Sequence, residues 1–322
     1  MSFSRPFARI VVGYNDSPLA DTALMQSIAI AEQYGGDVVA VHVSDYSAAA
    51  VLPVPTRATA GMIDPTPVLR SLESDRRQLF DQLSARVATC SVPVTMEFAM
   101  NAAADGILDA ASRWNATAIA VGTHARSGVA RAVVGSVADE VLRGAIIPVM
   151  VMRGGPVRGC LRRVIVGVDA SEPAANASTF AVALGVERNV RLCFCTVTDT
   201  VSVMQPYADV AFDPTPLLSE LRRSARDALD MALQNANAVE VFPDTEVIEA
   251  ADAGTALCDA ARRHDADAIV VGSHKRSNLE RLFFGSTAEA VVRHADRPVI
   301  VVPAHAQTVA GPIGRMPSEA VL

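Results

Sequence analysis

Residues 115–153 read NATAIAVGTHARSGVARAVVGSVADEVLRGAIIPVMVMR, and residues 265–303 read DADAIVVGSHKRSNLERLFFGSTAEAVVRHADRPVIVVP. The two stretches are identical at 18 of 39 positions without a gap. An identity this high at a constant offset of 150 residues indicates an internal repeat. The chain of 322 residues is therefore predicted to contain two copies of one structural unit.

The repeat continues towards the N-terminus with a different offset. VGYNDS at residues 12–17 matches VGVDAS at residues 166–171, which is an offset of 154. DPTP at residues 64–67 recurs at residues 213–216, where the offset is 149. The second copy has thus lost five residues between these two anchors. A length change of this kind is typical of a surface loop.

Each copy is predicted to contain five short strands that alternate with helices, because β-branched apolar runs are separated by turn residues and longer helical segments. Strands that alternate with helices favour an α/β fold with a five-stranded parallel sheet and helices on both faces. The predicted strands are Ile10–Tyr14, Val38–Val43, Val92–Phe98, Ala118–Gly122 and Ile147–Met152, then Val164–Val168, Val190–Val197, Glu246–Glu249, Ala268–Gly272 and Pro298–Val302.

The predicted domains are residues 1–153 and 163–304, with a Gly- and Pro-containing linker at residues 154–162. Residues 305–322 lose the periodic pattern and are expected to be a disordered tail. The last strand of each copy is apolar and would be unprotected at a sheet edge. We therefore expect Ile147–Met152 and Pro298–Val302 to pair with each other across the two domains, and pairing of two chains stays open.

Composition excludes several classes of protein. The formal net charge is -7 and the isoelectric point is about 5.4, which argues against a nucleic-acid partner because such proteins need a basic face. No apolar run approaches the ~20 residues that cross a bilayer, and the first residues lack a secretory signal pattern. We expect a cytoplasmic protein with no membrane partner.

The cysteines and histidines predict no metal site. Five cysteines occur without a CxxC motif, and the histidines lie at scattered positions that match no zinc spacing. We expect all five thiols to be reduced. Cys193 and Cys195 are expected to point to opposite faces of one strand, which would disfavour a disulfide between them.

A ligand of such a sheet is expected at the carboxyl ends of the strands, where the strand order reverses. If the first and fourth strands of a copy are neighbours, the loops that follow them face each other. The second of these loops ends in GS at residues 135–136 and 285–286, before a helix with the pattern Ser-x-x-Asp or Ser-x-x-Glu. This pattern indicates a capping box, and the same helix N-terminus is also suited to a phosphate.

The motifs of both copies resemble the universal stress proteins in their tandem, UspA-type form. The motifs are VGTHARS and VGSHKRS, each followed by GS, and VGYNDS and VGVDAS at the starts of the copies. The resemblance covers about 300 residues. It implies two Rossmann-like, adenine nucleotide alpha hydrolase-like domains. It also implies an ATP-binding motif of Gly, two residues, Gly, nine residues and Gly-Ser, with an acidic residue after the first strand. Transferred to this sequence, the implied binding residues are Asn15, Gly122, Ala125, Arg126, Gly135 and Ser136 in the first copy and Asp169, Gly272, Lys275, Arg276, Gly285 and Ser286 in the second.

Both copies depart from the family motif. The middle glycine is replaced by Ala125 and by Lys275, where a Cβ threatens a left-handed backbone or a close approach to the ligand. Lys275 adds a positive charge that could reach a phosphate. Asn15 replaces the acid in the first copy, whereas Asp169 keeps it in the second. The loop of the first copy is closer to the family motif, and the strand-1 residue of the second copy is closer to it. The two sites are therefore expected to be nearly equal as nucleotide sites.

The sequence contains no recognisable catalytic motif, and His124 and His274 in the two loops have no catalytic partner. Asp109 and Asp259, each four residues before an arginine, are interpreted as helical ion pairs. We therefore expect a stress-response protein that binds ATP or a related adenine nucleotide, with or without Mg²⁺, and acts as a non-catalytic switch towards an unidentified partner protein. A ligand-free assembly module and a slow ATPase are the alternatives.

Overall fold

The computed structural model describes residues 5–44, 66–123, 134–153, 157, 159–200, 213–273 and 285–306, and for residues 66–72 it describes the backbone alone. The ten predicted strands are all present, and their observed ends differ from the predicted ends by at most two residues. The strands are β1 (Arg9–Gly13), β2 (Asp37–Ser44), β3 (Val94–Met100), β4 (Ala118–Gly122), β5 (Val149–Met152), β6 (Arg163–Gly167), β7 (Arg191–Thr198), β8 (Asp244–Glu249), β9 (Ala268–Ser273) and β10 (Val299–Pro303).

The strands form one continuous ten-stranded sheet in the order β3-β2-β1-β4-β5-β10-β9-β6-β7-β8. Within each half, neighbouring strands are parallel. The strand order reverses between β1 and β4 and again between β6 and β9, which are hydrogen-bonded neighbours. The expected switch point is therefore present in both copies.

Helices cover both faces of the sheet, as the alternating pattern predicted. One hydrophobic core cluster takes side chains from α1, α2, α5 and α6, and a second cluster on the opposite face takes them from α3, α4, α7 and α8. The helices are α1 (Pro18–Tyr34), α2 (Thr66–Val87), α3 (Ala103–Arg113), α4 (Ser136–Gly144), α5 (Glu172–Arg188), α6 (Thr215–Asn237), α7 (Ala253–Arg263) and α8 (Ser286–His294).

The two halves join through the last strand of each. β5 and β10 are antiparallel, with Met150 opposite Ile300 at the centre of the pairing, and both of these side chains are buried. The predicted pairing across the domains is confirmed. It removes two edges that would otherwise carry unpaired backbone groups, so the outer edges of the sheet are β3 and β8.

Among the helices of the described ranges, none combines the length and the apolar composition that crossing a membrane requires.

Candidate functional site

The carboxyl ends of β6 and β9 enclose a cavity in the second half of the molecule. Its volume is about 690 Å³. Asp169, Gly272, Gly285 and Ser286, which lie far apart in the sequence, all line this cavity. The structure thus brings together the four predicted site residues of the second copy that it describes.

The equivalent cavity in the first half is much smaller, at about 140 Å³. Asn15, Gly122, Gly135 and Ser136 line it. The two copies therefore place the same sequence positions around the same kind of site, but the space enclosed by the described residues differs about fivefold (690 against 140 Å³).

Four predicted binding residues lie outside the described residues, as do the two loop histidines. The four are Ala125, Arg126, Lys275 and Arg276. Their contribution to either cavity stays a prediction from the sequence.

The first strand of each copy ends in a turn that a side chain closes. Asp169 Oδ1 accepts a hydrogen bond from the backbone N–H of Ser171 at 2.8 Å, and Ser171 in turn is the N-cap of α5. In the first copy, Asn15 Oδ1 accepts from the Ser17 hydroxyl at 2.7 Å, and Ser17 is the N-cap of α1. The predicted strand-1 acid and its amide counterpart thus both stabilise the start of the next helix.

The capping-box interpretation of the Gly-Ser pairs is wrong. Gly135 and Gly285 are the N-caps, the serines are the first helical residues, and neither helix start has a side-chain cap hydrogen bond. The acid expected to complete the second box, Glu289, instead pairs with Arg293 one turn later. Because glycine offers no side-chain acceptor, the N-cap residues of α4 and α8 leave the first N–H groups of these helices without a side-chain cap of their own.

Gly285 differs from Gly135 in its backbone. Its φ is 95°, in the region that L side chains rarely adopt, whereas φ of Gly135 is -61°. The second site therefore requires glycine at this position for conformational reasons, and the first does not.

The predicted helical ion pairs are also wrong in detail. Arg263 contacts Glu246 on β8, and Asp259 pairs with Arg262 three residues later. Arg113 likewise contacts Glu97 on β3. Both arginines lie at the last position of a helix that packs on the sheet, so the strand carboxylate is closer than the preceding turn.

Cys193 and Cys195 lie on the same face of β7, and their sulfurs are 3.8 Å apart. The expectation of opposite faces is wrong because side chains alternate along a strand, so that positions i and i+2 share a face. All five cysteines are free thiols. Cys193, Glu246 and His264 form a cluster whose ligand atoms all lie within 4.8 Å of one another. Sequence spacing missed this cluster because its members come from β7, β8 and the end of α7.

The fold and the cavities define a tandem α/β protein with a ligand-type pocket at the switch point of each half. The model of the universal stress protein family matches residues 6–153 and again residues 161–303. The chain belongs to the universal stress protein family.

Comparison with individual relatives agrees with this assignment. A universal stress protein of Mycolicibacterium smegmatis is 27% identical over 303 residues, which cover 91% of this chain and 96% of that protein. One from Methanocaldococcus jannaschii is 28% identical over 142 residues, covering 44% of this chain and 81% of its own length. The crystal structure of a universal stress protein from Archaeoglobus fulgidus superposes with a TM-score of 0.69 at 16% identity, covering 92% of this chain and 98% of that one. This last likeness shows the shared fold.

Proposed function

We propose that this universal stress protein binds an adenine nucleotide in its second domain and acts as a non-catalytic switch for a partner protein. The observation that carries the proposal is the cavity of about 690 Å³ at the switch point between β6 and β9. Pockets for small ligands have volumes of about 300–1,000 Å³. The second cavity falls in this range, whereas the first, at about 140 Å³, falls below it.

The phosphate end of the ligand is assigned to the start of α8. Gly285 and Ser286 line the cavity, and no side chain of the described residues caps this helix. Uncapped N–H groups and the positive end of the helix dipole both favour an anion. Lys275 and Arg276, in the loop between Gly272 and Gly285, bring two positive charges to the same stretch of sequence. These features support a phosphate at this end.

The sugar end of the ligand is assigned to Asp169. One of its oxygens, Oδ1, accepts from the Ser171 backbone, so that Oδ2 is the oxygen available to a ribose hydroxyl. Asp169 is exposed to solvent and lines the cavity. A hydrogen bond to a carboxylate contributes about 1.5–3 kcal/mol, more than the same bond to an amide. The carboxylate therefore favours the second site over the first, where Asn15 occupies the position.

The non-catalytic role is supported by the described residues that line the second cavity. Glu289 is held in an ion pair with Arg293, and the hydroxyl of Ser171 accepts from the Ala174 backbone N–H as the cap of α5. Neither is a base placed next to a nucleophile, which hydrolysis by a general base would require. A bound nucleotide would instead change the surface around the start of α8, and a partner protein would recognise that surface.

The test is calorimetric titration of the purified full chain with ATP, ADP and AMP, with and without Mg²⁺, together with thermal melting. Asp169→Asn installs the residue of the first copy, keeps the acceptor for Ser171 and removes the charge. We expect it to weaken nucleotide binding by about tenfold or more, since one charge-assisted hydrogen bond is lost. The matched variant Asn15→Ala is expected to leave the affinity unchanged.

Three outcomes would contradict the proposal. Absence of both heat and a melting shift at millimolar ATP would favour the ligand-free assembly module, because any ligand of the native state raises its stability. Loss of binding in Asn15→Ala but not in Asp169→Asn would move the site to the first domain. Turnover of labelled ATP that Asp169→Asn abolishes would favour the slow ATPase.

A further inference from the structure

We propose that the second domain contains a zinc site formed by Cys193, Cys195, Glu246 and His264, next to the nucleotide cavity that Cys195 also lines. Cys193 and Cys195 lie on β7, Glu246 lies on β8 next to Cys195 in the strand register, and His264 follows the last residue of α7. The four positions converge on the face of the sheet that α7 covers.

The distances between ligand atoms suit a tetrahedral ion. Two thiolates bound to one zinc at ~2.3 Å and at the tetrahedral angle lie ~3.8 Å apart. The sulfurs of Cys193 and Cys195 are 3.8 Å apart in the structure. The Cys193 sulfur, a Glu246 oxygen and a His264 nitrogen all lie within 4.8 Å of one another. Cys195 joins these three ligands through its contact with the Cys193 sulfur.

The site is already partly organised for a metal. His264 Nε2 and Glu246 Oε2 are 2.8 Å apart, within hydrogen-bond distance. A metal ion bound by both atoms would displace the proton of this hydrogen bond. Arg263 donates to the other oxygen, Glu246 Oε1, at 2.5 Å and thereby fixes the carboxylate. Ligands of a metal are typically oriented by such outer hydrogen bonds.

Burial and charge are compatible with zinc. Both cysteines are buried, whereas Glu246 and His264 are partly exposed and give the ion a path from solvent. Two thiolates, one imidazole and one carboxylate form a donor set that selects zinc over Mg²⁺ and Ca²⁺, which take oxygen ligands.

The first domain provides an internal comparison. Glu97 and Arg113 keep the ion pair of Glu246 and Arg263, but the positions of the two cysteines hold Val39 and Val41. The position of His264 holds Trp114, whose Nε1–H donates to Glu97 Oε2. Two valines and a tryptophan thus occupy, in the first domain, the positions of three of the proposed zinc ligands. The second domain differs from the first by replacing them with three groups that bind metal.

The test uses the reduced, chelator-treated full chain titrated with Zn²⁺ in competition with a chromophoric chelator. We expect one Zn²⁺ per chain, and Co²⁺ in its place is expected to give a sulfur-to-metal charge-transfer band. The double variant Cys193→Val/Cys195→Val and the single variant His264→Trp install first-domain residues, which fit the same core. Each is expected to weaken Zn²⁺ binding by about 100-fold or more, because changing even an outer hydrogen-bond partner costs 10–100-fold.

Controls separate this site from adventitious thiol binding and from the nucleotide site. Cys160 is an exposed thiol outside the cluster, so Cys160→Ser should leave stoichiometry and affinity unchanged. Asp169→Asn should also retain the metal, so that the zinc and nucleotide proposals fail separately. Zn²⁺ binding no tighter in the native chain than in the two variants, or a Co²⁺ spectrum without the sulfur band, would overturn the proposal. Circular dichroism of each variant checks that it is folded.

Discussion

At the scale of single residues, Gly122 and Gly272 are required for the packing of a helix against a strand, as well as being part of the predicted nucleotide motif. The family motif assigns both to nucleotide binding. In the structure, a Cβ at Gly272 would lie 2.2 Å from the backbone oxygen of Pro173, and one at Gly122 would lie 2.9 Å from that of Leu19. Each glycine thus lets the first turn of a helix pack directly on the end of a strand.

We predict that Gly272→Ala destabilises the protein by about 2–3 kcal/mol, because the methyl group meets backbone that cannot move alone. Gly122→Ala should cost less, since its closest backbone contact is longer. Urea unfolding followed by circular dichroism measures both changes in the free energy of unfolding.

Gly144→Ala is the control for this pair. A Cβ there would lie 2.5 Å from Leu108 Cδ1, the end of a flexible side chain that can turn away. Its cost should be well below that of Gly272→Ala. Equal midpoints for Gly272→Ala and the native chain would refute the packing explanation. The same geometry makes substitutions at either glycine unsuitable for testing nucleotide binding.

At the scale of secondary-structure elements, equivalent helices of the two copies begin differently. Asp252 is the N-cap of α7, and its carboxylate accepts from the Thr255 backbone N–H at 2.6 Å. The N-cap of the matching helix α3 is Ala102, which makes no side-chain cap hydrogen bond. Hydrogen bonds from Thr255 lower the pKa of Asp252 against a small opposing effect of burial.

We predict that Asp252→Ala lowers the free energy of unfolding by about 1 kcal/mol at pH 7, the usual contribution of an N-cap. The folded pKa of Asp252 is lower than its unfolded value of about 3.9. The stabilisation is therefore complete above about pH 4 and is lost as the pH falls through the folded pKa. Urea midpoints of both proteins between pH 7 and pH 2.5 measure the difference.

Asp252→Asn separates the hydrogen bond from the charge. Asparagine is also a good N-cap but does not titrate, so this variant should be nearly as stable as the native chain at pH 7. The variant's advantage over Asp252→Ala should then persist at low pH. A gap between native and Asp252→Ala that does not narrow in acid would show that the carboxylate is not the source of the stabilisation.

At the scale of the whole molecule, the two halves form one body. The β5–β10 pairing continues the sheet, and Phe7 packs edge-on against Phe180 with ring centroids 5.8 Å apart. Gln33 exchanges two hydrogen bonds of 2.7 Å with the backbone of Leu161. The contact therefore combines backbone pairing, aromatic packing and polar contacts.

We predict that the halves stay together after the covalent connection is cut. A protease site inserted at residues 154–158 and then cleaved should leave a complex that elutes from gel filtration at the volume of the uncut protein. Separation would expose two unpaired strand edges and buried apolar residues to water, which is unfavourable. Two half-size species in native buffer would contradict this expectation, and the uncleaved insertion variant is the control.

Most of the architecture could be predicted from the order of residues along the chain. The internal repeat, the alternation of apolar runs and helices, and the apolar last strands predicted ten strands, two domains and the pairing between β5 and β10. These features are local or periodic, so they are readable from order along the chain. The motif also identified eight of the residues that line the two cavities, four in each.

The volumes of the two cavities and the contacts between side chains of different elements became visible only in the folded protein. The positions of α5 and α7 on the sheet set three contacts. These are the ion pair of Arg263 with Glu246, the close approach of Pro173 to Gly272, and the cluster that contains Cys193 and His264. Such contacts join residues separated by tens of positions, and helix packing sets their distances to fractions of an ångström. No spacing within the sequence encodes those distances, because they are properties of the packed core.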